Sequence, residues 1–169
     1  MPRSRQRRSK GSGSGTIKIE PVGVIRSPYT AKEETPIQGA FRQEVEGRVE
    51  IFPEYAEALK DIEGFSHIIL LYVFDRAGPV ELVRPTFLDD AAHGVFASRH
   101  PCRPNGIGLT VVRLLGREGR TLRVSGIDVL DLTPVVDIKP YIPRFDCFPE
   151  AGEGWIEGKT ERPKPPGRE

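Results

Sequence analysis

The chain has 169 residues, 37% of them hydrophobic and 29% charged, with a formal net charge of +1 at pH 7. That length suits one domain with a real core, and no apolar run approaches the ~20 residues of a membrane-spanning helix. No apolar leader stands at the N-terminus, so the expectation is a soluble, cytoplasmic protein with no membrane partner.

The near-neutral balance hides an asymmetry. Residues 1–15 carry Arg3, Arg5, Arg7, Arg8 and Lys10 and no acid. Without those five cations, 20 basic and 24 acidic residues remain, a balance of about −4. Any basic nucleic-acid surface must therefore be local, or be lent by the tail. Residues 1–15, basic and then Gly-Ser alternating, predict a disordered tail. Strand signals follow. Ile17, Ile19, Val22, Val24 and Ile25 lie on either side of Pro21, and Val45, Val49 and Ile51 alternate with polar residues as in a half-buried strand. Residues 54–60 predict one short helix, opened by Pro53 and closed near Gly64. Residues 68–74 are continuously apolar, which predicts a strand buried on both faces. Residues 80–83 form a short strand ending before Pro85. Residues 107–115 and 121–127 flank Gly116-Arg-Glu-Gly119, a hairpin turn. Residues 150–169 are rich in Gly, Pro, Glu and Lys, and predict a flexible tail pinned near Trp155, its only aromatic residue. The fold class is all-β: a small β-barrel over residues 16–149 with one short helix and disordered tails. The absence of βαβ alternation and of G-x-G-x-x-G argues against a dinucleotide-binding fold.

Two segments carry the chemistry. In residues 98–108, two prolines and two glycines fix an irregular backbone that holds Arg99, Arg103 and Asn105. Forked cations on a stiff loop orient carboxylates, phosphates or base edges, although a surface turn with solvated arginines would look the same. In residues 128–141, Asp128, Asp131, Asp137 and Lys139 interrupt an apolar segment. Buried charges there must be paired, hydrogen-bonded or functional. Asp137 and Lys139, at i and i+2, share one face of a strand and read equally as a structural ion pair. Cys102 and Cys147 make no CxxC spacing and read as free thiols in a reducing compartment. His67, His93 and His100 lack ligand spacing, so no metal site is expected.

The chain resembles the TsaA/TrmO-like family, the tRNA N6-threonylcarbamoyladenosine methyltransferases. The resemblance rests on Ile25-Arg-Ser-Pro-Tyr29, Gly64-Phe-Ser-His67, Gly94-Val-Phe-Ala-Ser-Arg99, Arg103-Pro-Asn-Gly-Ile-Gly-Leu109 and Asp131-Leu-Thr-Pro-Val-Val-Asp-Ile-Lys-Pro-Tyr141. It covers residues 17–146. It implies a β-barrel enzyme, usually a homodimer, that binds S-adenosyl-L-methionine and methylates adenosine beside the tRNA anticodon loop. It also implies cofactor contacts at Pro36, Ile37 and Gln38, at Asp75 and Arg76, at Arg99, at Leu109, and at Asp128, Val129, Leu130 and Asp131. A sulfonium cofactor needs carboxylates or carbonyls near its positive centres, a cation for its own carboxylate and an apolar slot for adenine. The aspartates, Arg99 and Leu109 supply each type. Under this reading Asp137 is the first choice for catalytic base and Asp131 the second. Arg103 and Lys139 hold the threonyl carboxylate or a phosphate, and Tyr141 stacks or hydrogen-bonds. Two departures stand out. The family pair at 75–76 is often His-Gln, and the family's Asn-Pro-Ile-Gly is here Asn105-Gly-Ile-Gly108, which predicts a looser loop. The competing readings are a non-catalytic β-barrel that binds S-adenosylmethionine or RNA, and a methyltransferase acting on another substrate.

Overall fold

The computed structural model describes residues 15–160 and 162–163. Nearly all of the expected N-terminal tail, residues 1–14, lies outside them. Six strands close into a barrel in the order β1-β2-β7-β6-β3-β8. They are β1 (Gly23–Arg26), β2 (Glu46–Ile51), β3 (His67–Val73), β6 (Ile107–Glu118), β7 (Thr121–Ser125) and β8 (Pro134–Pro140). β4 (Val83–Pro85) and β5 (Ala92–Gly94) form a separate two-stranded ribbon. Pro85 is tolerated there because an edge residue needs no ladder N–H. The all-β expectation is borne out.

Alternation places the core. Ile25, Val49, Ile51, Leu122, Val124 and Val135 point inward and are almost completely buried. Closure removes exposed sheet edges, so every barrel strand has two neighbours. Gly47 stands where β2 passes β1, since a Cβ there would lie 2.8 Å from the Arg26 carbonyl oxygen.

Five local expectations need correction. The short strand expected at residues 80–83, ending before Pro85, is β4 at Val83–Pro85 and includes that proline. The predicted helix at residues 54–60 is a 3-10 segment, Pro53–Leu59, that buries only Leu59. One buried residue gives no stripe at i, i+3, i+4 and i+7 to carry an α-helix. Among the described residues the one α-helix is α1 (Pro143–Asp146), four residues long. Before β1, residues 15–22 form no strand; β1 begins at Gly23, after the Pro21 break. The β6–β7 turn is at Gly119 and Arg120, because a bulge between Leu114 and Gly116 keeps Gly116 inside the ladder. Finally, β3 is not buried on both faces. Ile68, Leu70 and Tyr72 face the core, whereas Ile69, Leu71 and Val73 are half-buried on the outside. Their cross-strand neighbours Val111 and Leu109 are 40% and 41% exposed. An apolar outer face hid the alternation.

Candidate functional site

At one end of the barrel, β3 runs out through Tyr72, β6 begins, and residues 126–133 lead into β8. A cleft opens there, lined by Tyr72, Phe74, Arg76, Asp128, Leu130 and Thr133 among others. Gly108 makes its wall possible. It pairs with Tyr72 across the ladder, and a Cβ would stand 2.3 Å from the Tyr72 ring and 2.9 Å from the Phe74 ring. The two rings meet edge to face at 5.3 Å. Burial, with the negative Asp128 nearby, pushes the Tyr72 hydroxyl far above its usual range, so it stays neutral. Gly108→Ala should cost about 1–3 kcal/mol by overpacking. Urea unfolding would show the lowered midpoint, and an unchanged midpoint would mean that the rings can yield.

Asp128 is the buried carboxyl of the cleft. The backbone turns through left-handed Gly126 just before it, with φ +85°. Gly39 crosses so close that a Cβ would lie 2.0 Å from the Gly126 carbonyl oxygen, and this approach lets the Gly39 N–H donate to Asp128 Oδ2 at 2.8 Å. Asp128 Oδ1 is buried and has no hydrogen-bond partner among the described residues. Burial raises the carboxyl to about 6, against the opposing pull of the Gly39 N–H, the Thr110 hydroxyl and the Arg99 charge. Arg99 extends over the crossing segment, and its Nη1 donates to Gln38 Oε1 at 2.8 Å. Gln38, Arg99 and Asp128 therefore converge, although 61 residues separate the first two.

Other expected cofactor residues are placed differently. Asp75, Arg76, Val129 and Leu130 line the cleft. The Arg76 guanidinium donates to the Asp131 carbonyl at 2.8 Å and to Thr133 Oγ1 at 3.0 Å. The Asp75-Arg76 departure thus ties β3's exit to the loop before β8. Asp131 Oδ1 accepts the Ser27 N–H at 3.0 Å. Pro36 and Ile37 are half-buried in the crossing segment. Leu109, read as an adenine slot, points to the outer face instead, because Gly108 and Thr110 take the inward positions of β6.

The four proposed catalytic side chains do not meet in this cleft. Arg103 was expected to face substrate; its Nη1 instead donates to the Ser98 carbonyl at 2.9 Å and reaches the His100 carbonyl at 3.5 Å. It braces the loop, because one guanidinium ties together two backbone carbonyls of the same irregular segment. Asp137 and Lys139 do share a face and pair at 2.6 Å, but on the barrel's exterior. The register explains this. Val135 pairs with Tyr72 and Asp137 with Leu71, so a bulge at the intervening residue turns Asp137 outward. Tyr141 lies edge-on to His67, at the end of β3 remote from Tyr72.

Loop 98–108 is stiffer than Gly106 suggested. Asn105 and Gly106 are both left-handed, with φ +66° and +56°. Proline cannot adopt the second, so glycine here specifies a backbone and does not merely loosen one. Cys102 is buried with a free thiol, and Cys147 is exposed and free. His100, two residues before Cys102, accepts the Cys102 N–H on Nδ1 at 3.0 Å. Burial beside Arg84 and Arg103 lowers His100 to about 4. Sequence reading missed Tyr72 and Gly39. Tyr72 sits inside an apolar run, and Gly39 shows its role only when Gly126 is brought beside it.

Residues 24–147 match the family described as the tRNA-methyltransferase O N-terminal domain. The chain belongs to this family. It is 48% identical over 155 residues to a Pyrococcus abyssi protein named as a probable S-adenosyl-L-methionine-binding protein, a match spanning 90% of this chain and 84% of that one. Human tRNA (adenine(37)-N6)-methyltransferase is 41% identical over 140 residues, which is 79% of this chain and 32% of the human protein. A crystal structure described as TrmO superposes with a TM-score of 0.73 at 43% identity, over 83% of this chain and 64% of that one. The chain thus spans most of the archaeal relative, about a third of the human one and a little under two thirds of the solved TrmO chain. The resemblance drawn from the motifs is borne out. Among the described residues no group of three or more His, Cys, Asp or Glu side chains is placed to hold a metal ion. No helix among them is long and apolar enough to cross a membrane.

Proposed function

We propose that this chain transfers the methyl group of S-adenosyl-L-methionine to N6 of threonylcarbamoyladenosine beside the tRNA anticodon. In this reading residues 16–149 are the catalytic domain of a cytoplasmic homodimer. The supporting observation is the convergence of Arg99 with Asp128, whose Oδ1 is buried and unpartnered, beside the Tyr72–Phe74 wall. A buried oxygen without a donor is costly unless a ligand completes it. The donor set fits a molecule carrying a carboxylate, positive centres and a flat base: a guanidinium, a carboxylate and aromatic faces.

When bound, the cofactor supplies an electrophilic methyl on a sulfonium. The protein's part is positioning and charge. Arg99 offers its fork to the cofactor carboxylate. Asp128 offers Oδ1 to a positive or hydrogen-bearing group, and Tyr72 and Phe74 exclude water from that side. The acceptor nitrogen shares its lone pair with a carbonyl, so a base or a stabilising cation assists. Asp137, Lys139 and Tyr141 can take that role only where a second copy brings them to a cleft.

The homodimer proposal has a surface to act on. Ile107, Leu109 and Val111 form an exposed apolar row on β6 beside Leu71 and Ile69, and Asp137 and Lys139 flank those residues on β8. Val111→Glu should yield a folded monomer by light scattering, with cofactor binding kept and turnover lost. A dimer that survives this change would place the interface elsewhere. Calorimetry with S-adenosyl-L-methionine and a chelator, followed by turnover on modified tRNA, tests the functional reading. Cofactor binding without transfer to any acceptor would favour a binding module. Transfer to another acceptor would keep the chemistry and move the substrate.

A further inference from the structure

The segment after the family-matched residues 24–147 folds back onto the β4–β5 ribbon and the turn that leads to Arg99. Trp155, the chain's one tryptophan, sits in a short 3-10 turn, Gly154–Ile156, bracketed by left-handed Gly154 and Gly158. These glycines make the turn specific, because other residues are strained at such φ values. The Trp155 indole N–H donates to the Ala97 carbonyl at 2.7 Å. Its ring stacks on His93 of β5 at 3.8 Å with 14° between planes. Lys159 lies 5.7 Å from the same ring and pairs with Asp89, whose carboxylate also holds His93 at 3.0 Å. Farther along, Arg162 donates to the Phe87 carbonyl at 2.5 Å and pairs with Asp90 at 3.0 Å.

These contacts converge on the backbone that carries Arg99. Ala97 O is held by Trp155, and Ser98 O by Arg103. Val95 N–H is tied to Leu82 O at 2.9 Å, so the ribbon and the tail clamp the turn from two sides. Arg99 itself is exposed, a long side chain whose affinity for an anion depends on how little ordering remains to be done.

We propose that the C-terminal segment is a clasp that presents Arg99 to the cofactor, with Trp155 as the positioning residue. The inference rests on the reading of Arg99 as the cofactor's cation. Three variants of the full chain test it: Trp155→Ala, Trp155→Phe and Arg99→Ala. Cofactor affinity is read by calorimetry, and hydrogen exchange is read at Val95 and Ser98 and in β3 and β6. Trp155→Ala should weaken S-adenosyl-L-methionine binding by roughly tenfold and deprotect Val95 and Ser98, leaving β3 and β6 protected. Trp155→Phe keeps the stack without the N–H and should fall between. Combined with Arg99→Ala, Trp155→Ala should add less than about twofold, because both act through one side chain. Arg99→Ala weakening binding while Trp155→Ala leaves affinity and exchange unchanged would overturn the clasp alone. Arg99→Ala binding as wild type would overturn the reading of Arg99, and the clasp's purpose with it. Uniform loss of protection through β3 and β6 in Trp155→Ala would show a general structural role and also refute the proposal.

Discussion

Arg99→Ala should weaken S-adenosyl-L-methionine binding by about tenfold to a hundredfold with little change in melting temperature. A lost charge-assisted contact is worth roughly 1.5–3 kcal/mol. Among the described residues, Arg99 makes one side-chain hydrogen bond, to Gln38, at an exposed position, so its removal leaves the core intact. Arg99→Lys should recover part of the loss, since it restores charge without the planar fork. Arg103→Ala should behave differently. Its guanidinium holds the Ser98 and His100 carbonyls, so loop order, melting temperature and cofactor affinity should fall together. Calorimetry and thermal melts on both variants separate the two roles. Wild-type affinity in Arg99→Ala would remove Arg99 from the cofactor site.

Asp128→Asn should raise stability above pH 6 while weakening cofactor binding. The Asp128 carboxyl is raised from 3.8 to about 6 by burial. A raised folded value contributes stability that is fully present below about pH 4 and is lost as pH climbs through 6. The loss is on the order of 2–3 kcal/mol. His100 works the other way. Its folded value is lowered from 6.5 to about 4, so its contribution is present above 6.5 and is lost as pH falls toward 4. In wild type the two slopes oppose each other between pH 4 and 6. Asp128→Asn removes one of them, so its stability should rise with pH across that window. Cofactor affinity reports on the same proton. Wild-type binding should strengthen as pH rises through about 6, because a positive group is held better by the carboxylate. The variant should lack that step. Urea titrations and calorimetry at pH 5 and 7.5 give both readings, and identical pH profiles for the two proteins would rule out Asp128 as the titrating group.

The parts of this molecule that could be read from sequence are those governed by near neighbours. β2 announces itself through Val45, Val49 and Ile51, and the β6–β7 hairpin through its glycines. The stiff loop at 98–108 and the charged interruptions in 128–141 also stand out as residue types in improbable company. What could not be read depends on register and closure. Asp128 and Asp137 look alike in sequence, yet one enters the cleft and the other faces outward because β8 bulges between Val135 and Asp137. Leu109 is lost to the outer face by its place between inward-facing Gly108 and Thr110. Arg103 could be seen as a forked cation, but not as a brace for carbonyls three and five residues back. The approach of Gly39 to Gly126 is a contact between distant segments, and no local pattern encodes it. Trp155 is visible in sequence only as the lone aromatic residue of a polar tail; its hydrogen bond to Ala97 spans 58 residues.

The most direct test is mass spectrometry of tRNA nucleosides after incubation of purified chain with modified tRNA and S-adenosyl-L-methionine carrying an isotopic label on its methyl group. The account predicts the label on N6 of threonylcarbamoyladenosine, and its absence from that nucleoside with the Arg99→Ala protein under limiting cofactor. A folded chain that binds the cofactor yet leaves threonylcarbamoyladenosine unlabelled would contradict it.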